Sequence, residues 1–122
     1  MKVLIVDDDK NILNLLKLYL KDNKFDVIES RNGEEAFRIV LKEKPDIAII
    51  DGLIPGIHGF ELCKKIKKEP SLTPKPKIII MSSVYKGIKY ELEAKKDFLA
   101  EEYLAKPFKK NDLLSKIESL LR

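Results

Sequence analysis

Polar side chains suited to phosphoryl chemistry follow four of the five apolar runs in this chain. Each comes directly after its run: Asp7, Asp8 and Asp9 after residues 3–6, Asp51 after residues 47–50, Ser82 after residues 78–81, and Lys106 after residues 103–105. If the runs are strands of one parallel sheet, their carboxyl ends border the crevice where such sheets bind ligands. Carboxylates, a hydroxyl and an ammonium in one crevice could bind a hard cation and move a phosphoryl group.

The apolar runs alternate with helical patterns, which predicts an α/β fold. Four segments carry one apolar stripe at helical spacing, and a fifth has fewer apolar anchors: residues 11–20, 34–42, 60–68 and 112–121, and then residues 88–98. Five strand–helix repeats predict a doubly wound (βα)5 fold, in which helices cover both faces of a parallel five-stranded sheet. The length of 122 residues predicts a single domain over residues 1–122.

The polarity of the strands indicates their order in the sheet. Residues 3–6, 47–50 and 78–81 are almost entirely aliphatic, as expected of strands covered on both faces. Residues 25–29 are partly polar, and residues 103–105 form a short run after two glutamates, so both strands belong at edges. This pattern favours the flavodoxin-like order 2-1-3-4-5, with a switch point between strands 1 and 3. Periodicity alone leaves other orders open.

Composition limits the classes of protein to which the chain can belong. No run approaches the roughly 20 apolar residues that span a bilayer, and the start shows no signal-peptide pattern, so we expect a cytoplasmic protein without a membrane partner. The single cysteine, Cys63, agrees with a reducing compartment. The net charge of +4 is modest, and no aromatic residues interleave with the lysines at 64–68, so a nucleic-acid partner is not expected.

The aspartates are candidate metal ligands. Strands 1 and 3 would lie about 4.8 Å apart as neighbours, so Asp8 and Asp51 would point into the same space. Two such carboxylates repel each other, and a divalent cation removes the conflict. Mg²⁺ is the natural ion, because it accepts one or two carboxylates together with water and phosphate. The alternative is that the aspartates only cap the following helix, the role expected of Asp9.

Asp51 has the position and the chemistry of a phosphoryl acceptor. Its carboxylate could attack a phosphoryl donor and form an aspartyl phosphate, while Mg²⁺ offsets the charge of the transfer. Lys106 could pair with a phosphoryl oxygen, or with Asp51 when no phosphate is present. Ser82 could donate a hydrogen bond to the same phosphoryl group. The alternatives are a turn aspartate before Gly52, a surface lysine and a capping serine.

Four segments together resemble the receiver domains of two-component response regulators, over essentially the whole chain. They read VLIVDDD, DGLIPGIHG, IIMSS and YLAKPF, at residues 3–9, 51–59, 79–83 and 103–108. The resemblance implies that Asp51 is the phospho-acceptor and that Mg²⁺ is held by Asp7, Asp8, Asp51 and the backbone carbonyl of Leu53, with Asp8 the more direct ligand of the acidic pair. It also implies Lys106 as the charge partner of the phosphoryl group, Ser82 and Tyr103 as switch residues, and an often cis Lys106–Pro107 peptide.

The function that this resemblance implies is signalling in a two-component phosphorelay, not enzymatic turnover. The domain would take its phosphoryl group from a sensor histidine kinase, a phosphotransfer protein or a small phosphodonor, and would catalyse only its own phosphorylation and dephosphorylation. Phosphorylation would draw Ser82 inward and let Tyr103 rotate, which would change the face formed by residues 88–98, 103–105 and 112–121. An effector protein or domain, or a second copy in a homodimer, would bind that face. The chain would be either a single-domain regulator of the chemotaxis type or the receiver of a longer one.

Two other functions compete with this interpretation. One is an interaction module that works without phosphorylation, and the other is a flavodoxin-like domain that binds flavin or nucleotide. No Gly-x-Gly-x-x-Gly or Gly-x-x-x-x-Gly-Lys loop follows any predicted strand, which disfavours nucleotide binding. His58, the only histidine, is predicted to be a loop residue, and Cys63 a small buried residue of the third helix. Leu99 departs from the family pattern, because it stands where small residues are usual.

Overall fold

The computed structural model describes residues 1–54, 56–82, 96 and 99–121, and within them five parallel strands form one sheet. The strands are β1 (Lys2–Val6), β2 (Asp26–Ser30), β3 (Ile47–Asp51), β4 (Lys77–Ser82) and β5 (Glu102–Ala105). Their order, β2-β1-β3-β4-β5, confirms the predicted flavodoxin-like arrangement. The partly polar strands β2 and β5 lie at the edges, whereas β3 is buried along its whole length.

Helices follow the strands as the sequence predicts. The described helices are α1 (Lys10–Leu20), α2 (Gly33–Glu43), α3 (Gly59–Lys67) and the C-terminal helix (Lys110–Leu121), with a 3-10 turn at Lys21–Asn23. Asp9 caps α1 as predicted, because its carboxylate accepts a hydrogen bond from the backbone N–H of Asn11 at 2.8 Å. Apart from Lys96, the predicted helix at 88–98 lies outside the described residues. None of the described helices is long and apolar enough to cross a membrane.

The strands bury alternate residues in two separate cores, one on each face of the sheet. One core joins β1, β3 and β4 to α2 and α3, through residues that include Leu4, Ile50, Ile80, Val40 and Ile66. The other joins the same strands to α1 and the C-terminal helix, through residues that include Ile5, Ile49, Ile79, Leu16 and Leu113. Each fully buried Leu or Ile contributes about 1.5–3 kcal/mol, so the strand ends are held by a well-packed scaffold.

Cys63 lies in the first of these cores and is completely buried, as predicted. Burial raises the pKa of its thiol to about 12, and Glu101 adds to the rise while Lys67 opposes it. The thiol therefore stays protonated near neutral pH. Cys63 acts as a small apolar side chain and not as a nucleophile.

The register of the sheet brings the carboxyl ends of the strands to one level. Val6 of β1 is paired with Ile50 of β3, so the residues that follow them, Asp7 and Asp51, are neighbours. In the last pair of strands, Ser82 at the end of β4 is paired with Ala105 of β5, which directly precedes Lys106. Because the strands are parallel, Asp7, Asp51, Ser82 and Lys106 all lie at the carboxyl end of the sheet.

Candidate functional site

Three carboxylates meet at the carboxyl edge of the sheet. One oxygen from each of Asp7, Asp8 and Asp51 can be chosen so that all three lie within 4.8 Å of one another. Asp7 is completely buried, Asp51 is 7% exposed and Asp8 is exposed to solvent. This donor set fits Mg²⁺, which prefers hard oxygen ligands and keeps several waters, because the Asp8 side of the cluster is open to water.

Lys106 lies between the two buried carboxylates. Its Nζ donates a hydrogen bond to Asp7 Oδ2 at 2.6 Å and lies 3.5 Å from Asp51 Oδ2. The predicted ion pair with Asp51 is therefore present, and the shorter contact with Asp7 is an addition that the sequence did not predict. The physical reason is burial, since a carboxylate without access to water gains most from an ammonium partner. The Lys106–Pro107 peptide is cis, as the resemblance implies.

Asp7 and Asp8 differ in what their side chains are available to do. Both oxygens of Asp7 accept hydrogen bonds, Oδ1 from the backbone N–H of Asp9 at 2.9 Å and Oδ2 from Lys106. Asp8 turns its side chain to solvent, and its backbone carbonyl accepts a hydrogen bond from Arg31 at 3.0 Å. The Asp8 carboxylate is therefore the more accessible of the pair to an ion that arrives from solvent. The Arg31 contact was not predicted, since nothing local in the sequence connects residues 8 and 31.

The electrostatic environment of Asp51 disfavours its charged form. Burial raises the pKa of this carboxyl group, and the nearby carboxylate of Asp7 raises it further. The ammonium of Lys106 and the backbone N–H of Leu53, which lies 3.4 Å from Asp51 Oδ1, act in the opposite direction. Lys106 and the Leu53 N–H therefore do not offset burial and the charge of Asp7, and a further cation beside Asp51 would stabilise its charged form.

The two predicted switch residues are both buried. Ser82, the last residue of β4, has no exposed surface, and its carbonyl accepts a hydrogen bond from the backbone N–H of Lys106 at 2.9 Å. Tyr103 is 5% exposed and lies in the core that also contains residues of α2 and α3. Of the predicted signalling face, residues 88–95 and 97–98 lie outside the described residues, whereas residues 103–105 and 112–121 are described.

The connection from β3 to α3 contains close contacts that the sequence did not predict. A Cβ atom on Gly59 would lie 1.9 Å from the backbone oxygen of Asp51, so only glycine allows α3 to begin here. A Cβ atom on Gly52 would lie 2.6 Å from Cε2 of Phe60. His58 is a loop residue, as predicted, and its ring stacks on Phe60 with centroids 6.1 Å apart. Gly52 and Gly59 were the sequence features that could have indicated close packing here. The contact with Phe60 itself spans a loop, so no periodic pattern in the sequence predicts it.

Comparisons with known proteins agree with this geometry. The profile of the family described as "Response regulator receiver domain" matches residues 3–118. The alkaline phosphatase synthesis transcriptional regulatory protein PhoP of Bacillus subtilis is 30% identical over 99% of this chain and 48% of its own length. The response regulator ArlR of Staphylococcus aureus is 34% identical over 99% of this chain and 52% of its own length. The chain therefore spans about half the length of these curated relatives.

A solved structure shares the fold as well as part of the sequence. The CheY-like response regulator receiver domain protein from Methanospirillum hungatei superimposes with a TM-score of 0.85 and 30% sequence identity. The alignment covers 98% of this chain and 92% of that chain. The similarity thus extends over the whole sheet and over the helices on both of its faces.

Proposed function

Because the chain belongs to the response regulator receiver domain family, we propose that it is a phosphorylation-dependent signalling switch and that Asp51 accepts the phosphoryl group. The observation that carries this proposal is that the Asp51 carboxylate lies beside those of Asp7 and Asp8 and 3.5 Å from the ammonium of Lys106. A buried carboxylate at a strand end, flanked by groups that can hold a cation and a phosphoryl oxygen, is suited to covalent phosphoryl transfer. The donor would be a histidine kinase, a phosphotransfer protein or a small phosphodonor.

The residues around Asp51 have separate roles in this proposal. Asp8, Asp51 and the backbone carbonyl of Leu53 would hold Mg²⁺, and Asp7 would contact the ion through water. When bound, Mg²⁺ supplies positive charge that offsets the negative charge of the phosphoryl oxygens. Asp7 also positions Lys106, whose Nζ it holds through the 2.6 Å hydrogen bond.

The transfer itself would be an in-line displacement at phosphorus. An oxygen of Asp51 forms the new bond to phosphorus while the bond to the donor's leaving group breaks with its electron pair. Burial removes part of the water shell from the Asp51 carboxylate, so less solvent must be displaced before it attacks. Lys106 lies 3.5 Å from this carboxylate, which places its ammonium within reach of a phosphoryl oxygen. Loss of the phosphoryl group would use the same residues, so the domain would catalyse only its own modification.

Phosphorylation of Asp51 would be sensed first by Ser82 of β4 and then by Tyr103 of β5. A phosphoryl group adds about −1.5 to −2 charge and three acceptor oxygens, which can recruit the hydroxyl group of Ser82. Ser82 is completely buried beside β5, so its displacement would change the packing around Tyr103. An effector or a second copy of the chain would bind the altered face. PhoP is named as a transcriptional regulatory protein, which supports transcription as the output.

Intact-mass measurement after treatment with acetyl phosphate and Mg²⁺ tests this proposal. We expect the wild-type chain to gain one phosphoryl group and Asp51→Asn to gain none, because an amide is a poor nucleophile. Asp26→Asn is the matched control, because Asp26 is an exposed aspartate at the amino end of β2, far from the carboxyl ends of the strands. This variant should gain one phosphoryl group, as the wild type does. Equal phosphoryl uptake by Asp51→Asn and the wild type would refute Asp51 as the acceptor.

A further inference from the structure

The residue after the proposed acceptor is a glycine, and this creates a chemical hazard. An aspartyl phosphate is an activated acyl group, and the backbone nitrogen of Gly52 is close enough in sequence to attack its Cγ. In that reaction a bond forms between this nitrogen and Cγ, while the bond from Cγ to the phosphoryl-bearing oxygen breaks. Inorganic phosphate leaves with the electron pair, and the amide proton passes to phosphate or water. The product is a succinimide, which water opens to aspartate or isoaspartate.

The structure holds the Gly52 nitrogen in an arrangement that opposes this attack. Its N–H donates a hydrogen bond to the carbonyl oxygen of Met81 on the neighbouring strand at 2.9 Å. A succinimide nitrogen carries no hydrogen, so the ring can close only after this bond is lost. Since Asp51 ends the central strand β3, breaking the bond also disturbs the ladder between β3 and β4.

The opposite side of the same peptide is covered by the start of α3. Three ring atoms of Phe60 lie 2.6, 3.1 and 3.3 Å from the position that a Gly52 Cβ would occupy, so the ring rests against the Gly52 backbone. The Cβ position of Gly59 lies 1.9 Å from the Asp51 carbonyl oxygen and 2.7 Å from Gly52 Cα. The peptide between Asp51 and Gly52 is thus confined between α3 and β4. The His58 ring stacks on the Phe60 ring, with centroids 6.1 Å apart.

We propose that Phe60 is a positioning residue that protects the phosphorylated acceptor from cyclising onto Gly52. This inference rests on the proposed function, because the activated acyl group exists only once Asp51 carries phosphate. Glycine and the aromatic ring depend on each other: a larger residue at 52 would collide with Phe60, and a smaller residue at 60 would free the peptide to turn. The phosphoryl group then leaves by hydrolysis and not by damage to the backbone.

Phe60→Ala tests the protection directly, and Phe37→Ala is its matched control. Both phenylalanines are partly buried against the same core, but the Phe60 ring is the one that lies on Gly52. After phosphorylation with acetyl phosphate, we expect Phe60→Ala to form several-fold more of a species one water lighter than the unmodified chain. Peptide mapping should place it, and the resulting isoaspartate, at residues 51–52. Phe37→Ala should match the wild type. A phosphorylated Phe60→Ala chain with no excess of either product would overturn the proposal.

A size exchange supplies a second, independent test. In the double variant Gly52→Ala with Phe60→Ala, the new methyl group occupies space that the ring has left and hinders attack by the residue 52 nitrogen. We expect the double variant to form several-fold less succinimide than Phe60→Ala, and to be more stable than Gly52→Ala alone. If the two substitutions lower the free energy of unfolding additively, so that Phe60→Ala does not reduce the cost of Gly52→Ala, the contact between residues 52 and 60 is contradicted.

Amide hydrogen exchange separates this inference from the proposed function, because it needs no phosphate. The Gly52 amide should exchange several-fold faster in Phe60→Ala than in Phe37→Ala, since the peptide can then leave the Met81 carbonyl more often. Phe60→Leu, which keeps an apolar side chain, should give an intermediate rate and serves if the alanine variant unfolds. Equal Gly52 exchange rates in all these variants would refute the confinement of the Asp51–Gly52 peptide by Phe60. Failure of every variant to take up phosphate would refute only the proposed function.

Discussion

The two ends of the sheet both carry charged side chains that are at least partly withdrawn from solvent, but the charges are paired differently at each end. At the carboxyl end, the carboxylates of Asp7, Asp8 and Asp51 form one cluster, and within the described part of the chain Lys106 is the lysine that pairs with Asp7 and Asp51. At the amino ends of β4 and β5, Lys67 pairs with Glu101 at 2.7 Å, and the side chains are 11% and 26% exposed. Among the residues that the structure describes, one end therefore sets three clustered carboxylates against one paired ammonium, whereas the other pairs one ammonium with one carboxylate.

The polar atoms at the amino end are matched with partners. Lys67 Nζ also donates to the carbonyl oxygen of Pro76 at 2.7 Å, and Glu101 Oε1 accepts the backbone N–H of Ile78 at 2.6 Å. The Glu101 backbone N–H in turn donates to the Ile78 carbonyl oxygen at 3.0 Å. Such a closed network stabilises structure, whereas an unbalanced cluster that raises a pKa is typical of a functional site. The difference teaches that the pairing of charges, and not burial alone, distinguishes the candidate cation site from the structural ion pair.

Breaking the balanced end should have the largest effect on stability. Lys67→Met keeps the apolar part of the side chain but leaves Glu101 and the Pro76 carbonyl without their ammonium partner. We expect the free energy of unfolding to fall by about 2 kcal/mol, less than for a fully buried pair because Glu101 is partly exposed. Urea denaturation measures this change.

Lys2→Met is the matched control for that variant. Lys2 also contacts both a carboxylate and a backbone carbonyl, those of Glu43, but the two side chains are 44% and 34% exposed. Water and salt screen such a pair, so its loss should cost less than about 1 kcal/mol. If the two variants lose equal stability, the amino-end network is not the structural anchor inferred here.

Removing one negative charge from the carboxyl end of the sheet should change stability by a smaller amount, and should raise it. Asp51→Asn removes one negative charge from beside Asp7, at the expense of the weaker contact with Lys106. We expect the free energy of unfolding to rise by about 1 kcal/mol at neutral pH without Mg²⁺. Urea denaturation of both chains in the presence of a chelator measures the difference.

The pH dependence of stability identifies the cause of that gain. The pKa of Asp51 is raised in the folded chain, so the native state binds more protons than the unfolded state between its two pKa values. The contribution of Asp51 to stability therefore falls as the pH rises from about 4, the ordinary pKa, through the folded-state pKa. The advantage of Asp51→Asn should grow over the same range and then stay constant. An advantage that is largest in acid would contradict the assignment.

The smallest effect is expected from a residue that belongs to neither charge cluster. Leu99 adopts a φ of 66°, a conformation that costs most residues about 1–2 kcal/mol, and its side chain is 40% exposed. Leu99→Gly removes this strain, although glycine loses more entropy on folding. We expect a net gain of about 0.5 kcal/mol by urea denaturation, with phosphoryl uptake unchanged. A loss of stability would show that Leu99 contributes packing that outweighs its backbone strain.

Much of the fold follows from local patterns in the sequence. The polar character of residues 25–29 and the shortness of 103–105 predict edge strands, and the order of the sheet confirms both. The meeting of Asp7, Asp51, Ser82 and Lys106 at one edge is equally predictable, because parallel strands end on the same side. In each case a property of consecutive residues determines the outcome.

Other features depend on contacts between distant segments and could not be predicted. Lys106 lies closer to Asp7 than to Asp51 because of how deeply each carboxylate is buried, which only the packed structure determines. Lys67 and Glu101 are 34 residues apart, and no periodic pattern connects them. The Phe60 ring on Gly52 likewise spans a loop. Long-range packing, not secondary structure, decides these contacts.

Residue-resolved NMR during a Mg²⁺ titration tests most directly whether the unbalanced end of the sheet is the cation site. We predict saturable shifts of the backbone amides at Asp7–Asp9, Asp51–Leu53 and Lys106, much weakened in Asp8→Asn. The amide signals of Lys67, Ile78 and Glu101 should not shift, because Lys67 and Glu101 are already paired with each other. Absence of saturable shifts around Asp51, or equal shifts at Glu101, would contradict the account.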